Sequence, residues 1–395
     1  MKDLSRFLLV GVDIHKNFHV AVPTDCWHQP LAALTVANNP LHFADFENQV
    51  IKLASQRDLI PIFGLEDSGG NGEILAKYLL TKGYVVKEVN PIKSERQRKR
   101  NPHPEKTDPK DALAISKTLI SEFTKLHNVV AVDEAVVATD NLSLHRENLV
   151  KDQTRAKNRL HYLLQKEYPD YAKMFKGSFG KAALEFWKTF PVQSKLYGVP
   201  PEQLLRFLKK HSNNRLTAKN VSQILENIDP KPETSVLQET RALIIKDLAE
   251  TLLALQAKIK EVNQQLARLV EQTAKLLLTL DGVSTVIAAK MIGEIKDLAR
   301  FKTPNQLARF AGIAPVEYSS GNKIKHRRDH RGNRRLNNAF YTIALTQLRC
   351  NEKAKAYYQR KVSEGKSGTE AMICLMRRLV DIVHNMLKTN TPYKG

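Results

Sequence analysis

The chain changes its hydrophobic period once. Runs at 7–13 (FLLVGVD), 18–23 (FHVAVP) and 31–37 (LAALTVA) carry the β-branched and aromatic residues of strands, with His, Asn, Asp and Pro between them. A helical spacing at 41–54 follows, then a strand at 59–66, a helix at 72–80, a strand at 84–89 and a helix from Asp108 to about residue 123. Three strands followed by alternating helices and strands is the order of a mixed sheet with helices on both faces.

From about residue 141 only the helical period remains. Ile245, Leu248, Leu252, Leu255, Ile259, Val262, Leu266 and Leu269 recur three and four apart with polar residues between, a heptad seam that predicts a coiled coil or a long helical hairpin. Leu149, Ala156, Leu160 and Leu163 form a weaker stripe that suits a partner helix. Pro200, Pro201, Pro230 and Pro232 mark a helical insertion at about 171–234. At 276–295 two helical patterns joined by Asp281, Gly282 and Val283 suggest a helix–hairpin–helix, although a plain helical turn fits the same residues. A final helix carries Met372, Leu375, Leu379 and Val383. The predicted organisation is therefore α/β plus all-α: an α/β domain at 1–130, a coiled-coil and helical region at 131–275, and a mostly helical domain at 276–395.

Composition narrows the partner. Sixty-two Lys and Arg against 41 Asp and Glu leave a net charge of +21, which favours a polyanion, nucleic acid before a membrane surface. The apolar run at 7–12 ends at Asp13 without a small-residue cleavage site, and no run reaches the 18 or so apolar residues of a membrane span, so neither a signal peptide nor a membrane segment is expected. Cys26, Cys350 and Cys374 fit neither a disulfide framework nor a zinc motif, which points to a reducing cytoplasm.

Candidate chemistry lies in four acids and one serine. Asp13 and Glu66 end the first and fourth predicted strands, where side chains of neighbouring strands overlook one crevice. Asp108 and Asp111 are three apart and share one helix face. Four convergent carboxylates call for cations, and hard oxygen donors suit one or two Mg²⁺. Asp108 before Pro109 equally suits an N-cap, with Asp111 in the favourable first turn, and neither role needs a metal. Ser319 and Ser320 sit in a turn-like segment before Gly321; Lys323, Lys325, Arg327, Arg328, Arg331, Arg334 and Arg335 follow and could hold a phosphodiester for attack by serine. A second basic run, Lys93, Arg96, Arg98, Lys99 and Arg100, precedes the Asp pair and suits nucleic-acid backbone. No P-loop spacing is present.

Together GVDIHK (11–16), LEDSGG (65–70), KTDPKDA (106–112) and APVEYSSG (314–321) resemble the DEDD transposases of bacterial insertion sequences, relatives of the pilin-gene invertase Piv. The resemblance implies an RNase H/RuvC-like N-terminal domain whose Asp13, Glu66, Asp108 and Asp111 bind Mg²⁺. It also implies a C-terminal transposase domain with Ser320 as nucleophile, a covalent serine–DNA intermediate, and a bridge RNA guide that pairs with donor and target DNA. Homodimers assembling into a tetramer, in the bacterial cytoplasm on the nucleoid, complete the expectation. Asp67, Ser68, Gly69 and Gly70 depart from the family's usual run after the Glu. A Piv-type invertase without guide RNA, a RuvC-like nuclease or junction resolvase, and an architectural DNA binder remain as alternatives.

Overall fold

The computed structural model describes residues 4–66, 70–100, 107–229, 232, 235–320, 323–328 and 332–394; at 315–320 and 323–328 only the backbone is described. The chain forms two compact units, Met1–Asp133 with Asp297–Lys302, and Glu134–Lys296 with Thr303–Gly395.

The first unit is built on a five-stranded mixed sheet of order β3-β2-β1-β4-β5, with β1 at Phe7–Ile14, β2 at Phe18–Thr24, β3 at Leu34–Ala37, β4 at Ile60–Leu65 and β5 at Val85–Glu88. β1 runs antiparallel to β2 and parallel to β4, so the two strands the sequence nominates for acids are neighbours. Alternation along β1 feeds two cores. Leu8, Val10 and Val12 pack with Phe43, Phe46 and Val50 of α1 (Phe43–Ser55) and with Leu75 and Leu79 of α2 (Glu73–Thr81). Leu9 packs with Ile115 and Leu119 of α4 (Asp108–Ser121). On the first face Glu47 accepts hydrogen bonds from the Tyr78 and Tyr84 hydroxyls and faces Lys82. The basic run expected to hold nucleic-acid backbone folds for the most part as α3 (Pro91–Arg98), started by the Asn90 side chain and Pro91, and it packs along α4.

One glycine sets how closely α4 approaches the sheet. A Cβ on Gly11 would meet the Ala112 carbonyl oxygen and the Ser116 amide nitrogen, both at 2.3 Å. Only a residue without a side chain lets β1 lie against the α4 backbone there. Ser116 fixes the contact: its Oγ donates to the Leu9 carbonyl at 2.6 Å and lies 2.9 Å from Thr24 Oγ1, all buried. The N-terminus of α4 is thereby carried to the end of β1.

The second unit is helical apart from one hairpin. α5 (Glu134–Glu167) and α11 (Val236–Thr273) pack along each other. Thr139 meets Thr273, Arg146 donates to Asn263 and Arg241 to Glu167, so the pair is antiparallel and the heptad seam finds its partner within the chain. Ile245, Leu248, Leu252, Val262 and Leu266 are buried, while Leu255, Ile259 and Leu269 are half-buried. On α5, Leu149, Ala156 and Leu160 are buried, and Leu164 rather than Leu163 takes the next buried seat. The Pro-containing insertion comprises α6 (Tyr171–Met174), α7 (Lys181–Thr189), α8 (Gln193–Leu196), α9 (Pro201–Ser212) and α10 (Ala218–Leu225). It shares a core with the two long helices around Trp187, Phe186 and Tyr168.

The remainder is α12 (Thr285–Ile295), α13 (Pro304–Phe310), α14 (Arg334–Cys350), α15 (Glu352–Ser363) and α16 (Gly368–Thr389). The first arm of the expected helix–hairpin–helix is only a 3-10 turn, Lys275–Thr279. The space between Thr273 and Gly282, whose φ is +88°, is too short for a full helix. Among the described residues of 318–335, read as a basic loop, β6 (Pro315–Ser320) pairs antiparallel with β7 (Lys323–Arg328), and α14 begins at Arg334. Among the described residues no helix is long and apolar enough to cross a membrane.

Candidate functional site

β1 presents Asp13 one residue beyond the pair Val12–Leu65, and β4 presents Glu66 at the level that follows in the same parallel register. α4 contributes Asp108 as its first residue and Asp111 one turn on. Thr107 occupies the N-cap and Pro109 the first turn, so Asp108 is not the capping residue that its place before proline suggested. Both carboxylates still lie at the positive end of the helix, which favours their charge.

The acids are joined by a residue that sequence reasoning left out. His15 follows β1, and its Nε2 is 3.1 Å from Asp13 Oδ2 and 3.5 Å from Asp108 Oδ1. One donor atom each from Asp13, His15 and Asp108 lie within 4.8 Å of one another. The imidazole is held from two sides: the His15 amide donates to the Phe18 carbonyl at 3.1 Å, and the two rings are 5.1 Å apart. Nearby, Asn38 Nδ2 donates to the carbonyls of Lys16 at 3.1 Å and Asn71 at 3.0 Å, tying the turn that carries His15 to the segment after Glu66. The signal was present in GVDIHK, two residues after the acid, but a lone histidine in a turn has no spacing partner to mark it.

The other two acids have partners of their own. Asp111 Oδ1 is 3.2 Å from Arg98 Nη1, and Glu66 Oε1 accepts from Ser94 Oγ at 3.1 Å, both partners on α3. Burial pushes the Asp13 carboxyl above its ordinary range; Asp111 and Asp108 push it further, and His15 opposes them. Concentrated negative charge around a side chain only 13 % exposed is the environment that a divalent cation relieves. The donor set of carboxylate oxygens with one imidazole fits such an ion.

Of the predicted nucleic-acid contacts, Arg96, Lys99 and Arg100 are exposed on or just after α3. Lys93 pairs with Glu122 and Lys99 with Glu95 at 2.7 Å. Ser320 ends β6 opposite Lys323, the first residue of β7. The side chains of Ser319, Ser320, Lys323, Lys325, Arg327 and Arg328, and all of Arg331, lie outside the described residues. Arg334 is exposed at the start of α14. Arg335 is turned inward: its guanidinium meets Asp140 at 2.9 Å, Glu147 at 3.4 Å and Glu294, and reaches Ser143 at 3.3 Å. Burial works against its charge, and the three carboxylates outweigh it, holding the guanidinium pKa above its usual value. Arg335 thus locks α14 to α5 and α12 in place of lining an open surface.

Comparison with known proteins meets the chain at both ends. A DEDD transposase family of IS110 type matches residues 10–169, and the family described as "Transposase IS116/IS110/IS902 family" matches 274–359. A 44.8 kDa protein of insertion element IS116 from Streptomyces clavuligerus is 28% identical over 392 residues, covering 96% of this chain and 94% of the relative. A 42 kDa protein of insertion element IS900 from Mycobacterium paratuberculosis is 25% identical, covering 97% and 96%. The pilin gene-inverting protein of Moraxella bovis is 26% identical over 145 residues, 34% of this chain and 45% of the relative.

Proposed function

The chain belongs to the IS116/IS110/IS902 transposase family, whose members cleave and transfer DNA strands, and from that premise we propose that it is an RNA-guided, Mg²⁺-dependent DNA recombinase acting through a covalent link at Ser320. The observation that carries this reading is the meeting of Asp13, His15 and Asp108 at the end of the central strand β1, with Glu66 and Asp111 on the adjoining elements. Asp13, Glu66, Asp108 and Asp111 would hold the divalent ion. Bound there, it supplies Lewis-acid polarisation of a phosphodiester oxygen.

The rest of the reaction falls to the chain's own residues. Ser320 Oγ forms a bond to phosphorus as one P–O bond of the DNA breaks, and the proton that Ser320 gives up is balanced by the one the departing sugar oxygen takes to become a hydroxyl. One phosphodiester is exchanged for another, so no ATP is needed. The basic residues Lys323, Lys325, Arg327, Arg328, Arg331 and Arg334 hold the backbone, as do Arg96 and Arg100 beside the acids. Sequence choice is left to base pairing by a structured guide RNA with donor and target DNA. The protein works as a dimer that pairs into a tetramer in the bacterial cytoplasm, with 1–130, 131–275 and 276–395 as its functional regions.

The test is a covalent adduct. Purified protein, guide RNA and both DNAs should yield a protein–DNA link that maps to Ser320 and disappears in Ser320→Ala. A Ser320→Ala protein that still recombines DNA refutes the assignment. The similarity to the pilin gene-inverting protein favours a second reading, site-specific inversion without a guide. Sequencing the nucleic acid that copurifies separates the two: one defined structured RNA supports guidance, and its absence supports inversion.

A further inference from the structure

We propose that His15 is a direct ligand of the divalent ion, so that the site is a mixed oxygen and nitrogen centre that takes Mn²⁺ in preference to Mg²⁺. The inference rests on the metal-dependent reading above and concerns which atoms hold the ion.

Donors at about 2.1 Å from an octahedral ion stand about 3 Å apart when adjacent and about 4.2 Å apart when opposite. His15 Nε2 lies 3.1 Å from Asp13 Oδ2 and 3.5 Å from Asp108 Oδ1, the spacing of adjacent ligands within a few tenths of an ångström. All three donor atoms lie within 4.8 Å of one another. Asp111 and Glu66, which would complete the set, are also contacted by Arg98 and Ser94, so Asp13, Asp108 and His15 are the donors already grouped.

The ring is also placed in advance. His15 follows the last residue of β1, its amide is tied to Phe18, and its ring tilts against the Phe18 ring at 34°. A side chain fixed this way loses little freedom on binding an ion. The chemical consequence is selectivity. Mg²⁺ prefers oxygen and keeps its waters, whereas Mn²⁺ accepts imidazole nitrogen alongside carboxylates.

Mn²⁺ itself is the probe. Full-length protein with substoichiometric Mn²⁺ should show nitrogen modulation in pulsed electron paramagnetic resonance. In the unaltered sequence, labelling histidine with ¹⁵N should move that modulation, a measurement that needs no variant. In His15→Gln the modulation should vanish, with Mn²⁺ affinity lowered about 10- to 100-fold and Mg²⁺ affinity lowered less. Bound Mn²⁺ without histidine coupling, displaced by Asp13→Asn, overturns the ligand assignment and leaves the carboxylate centre standing. Coupling that persists in His15→Gln also overturns it, since another imidazole is then the donor. No Mn²⁺ or Mg²⁺ binding at all refutes the metal-dependent reading on which the proposal rests.

Discussion

Gly11→Ala tests how the acid cluster is positioned. The new methyl would fall 2.3 Å from the Ala112 oxygen and 2.3 Å from the Ser116 nitrogen, atoms of one helical hydrogen bond that no rotamer change can move. Carbon contacts need about 3.5 Å, so α4 must withdraw from β1 by roughly 1 Å. Overpacking of this kind costs about 1–3 kcal/mol, and weakening the buried Ser116 hydroxyl's bond to Leu9 adds about 1 kcal/mol. A urea midpoint shift equivalent to roughly 2–4 kcal/mol is therefore expected for the first unit. Because Asp108 begins the helix that moves, adduct formation should fall about 100-fold even at a urea concentration where the variant is folded. Gly64→Ala is the control: its methyl would have side-chain atoms as nearest neighbours, Leu119 and Val89 at 3.2 Å and Ile115 at 3.6 Å, and these can yield. If Gly11→Ala and Gly64→Ala are equally mild in stability and in adduct yield, close backbone approach is not what sets the cluster.

Arg335→Ala should destabilise the second unit by about 2–4 kcal/mol in chemical denaturation, below the fully buried limit because the carboxylates it leaves are 15 to 23 % exposed, and Arg335→Lys should recover only part of the loss. Trp187→Ala should cost about 3–5 kcal/mol, since the ring is wholly buried and its Nε1 donates to Ser178; Mg²⁺ affinity, measured by calorimetry, should stay unchanged because that core holds no residue of the acid cluster. Tyr78→Phe should cost about 1–2 kcal/mol at pH 7. Burial alone would raise the Glu47 carboxyl, but Tyr78, Tyr84 and Lys82 hold it below its ordinary value, so its stabilising effect is present above the unfolded pKa and is lost as pH falls through the folded one. Thermal melts should accordingly show the Tyr78→Phe deficit shrinking as the pH falls below 4.5; a deficit that stays constant throughout acidification would rule out the ionised Glu47 as its source.

The sheet was legible because strand period and loop chemistry act within a few residues of one another. The runs around Leu9, Val20 and Ile62 alternate or are wholly apolar, and each became a strand within three residues of its expected bounds. Asp13 and Glu66 were legible for the same reason, as acids that interrupt apolar runs. Gly11 was not: its meaning lies in Ala112 and Ser116, a hundred residues away, and a glycine in a strand reads alone as a bulge or a weak point. His15 lacked a spacing signal, because its partners Asp13 and Asp108 come from a strand end and a distant helix start. The inward turn of Arg335 was hidden because it continues a basic run whose other members share its charge but not its three carboxylates. The 3-10 turn at Lys275–Thr279 looked helical since a triple leucine carries the right composition at any helical pitch.

Charge shows the same dependence on distance. The gross count of 62 Lys and Arg takes Lys93, Arg98, Lys99 and Arg335 as available to a polyanion. Each instead faces a carboxylate: Glu122, Asp111, Glu95, and the Asp140, Glu147 and Glu294 group. Exposed pairs such as Lys99–Glu95 are worth little and open readily to phosphate. Arg335 is different, because withdrawing it strands several acids with little solvent around them. Arg98 falls between these cases, and it matters most, since its partner Asp111 belongs to the proposed ligand set. A guanidinium and a divalent ion compete for the same carboxylate, and the ion carries twice the charge on a smaller radius. On the proposed reading, an ion held by Asp111 would displace Arg98, whose guanidinium would then be free to meet an arriving phosphate.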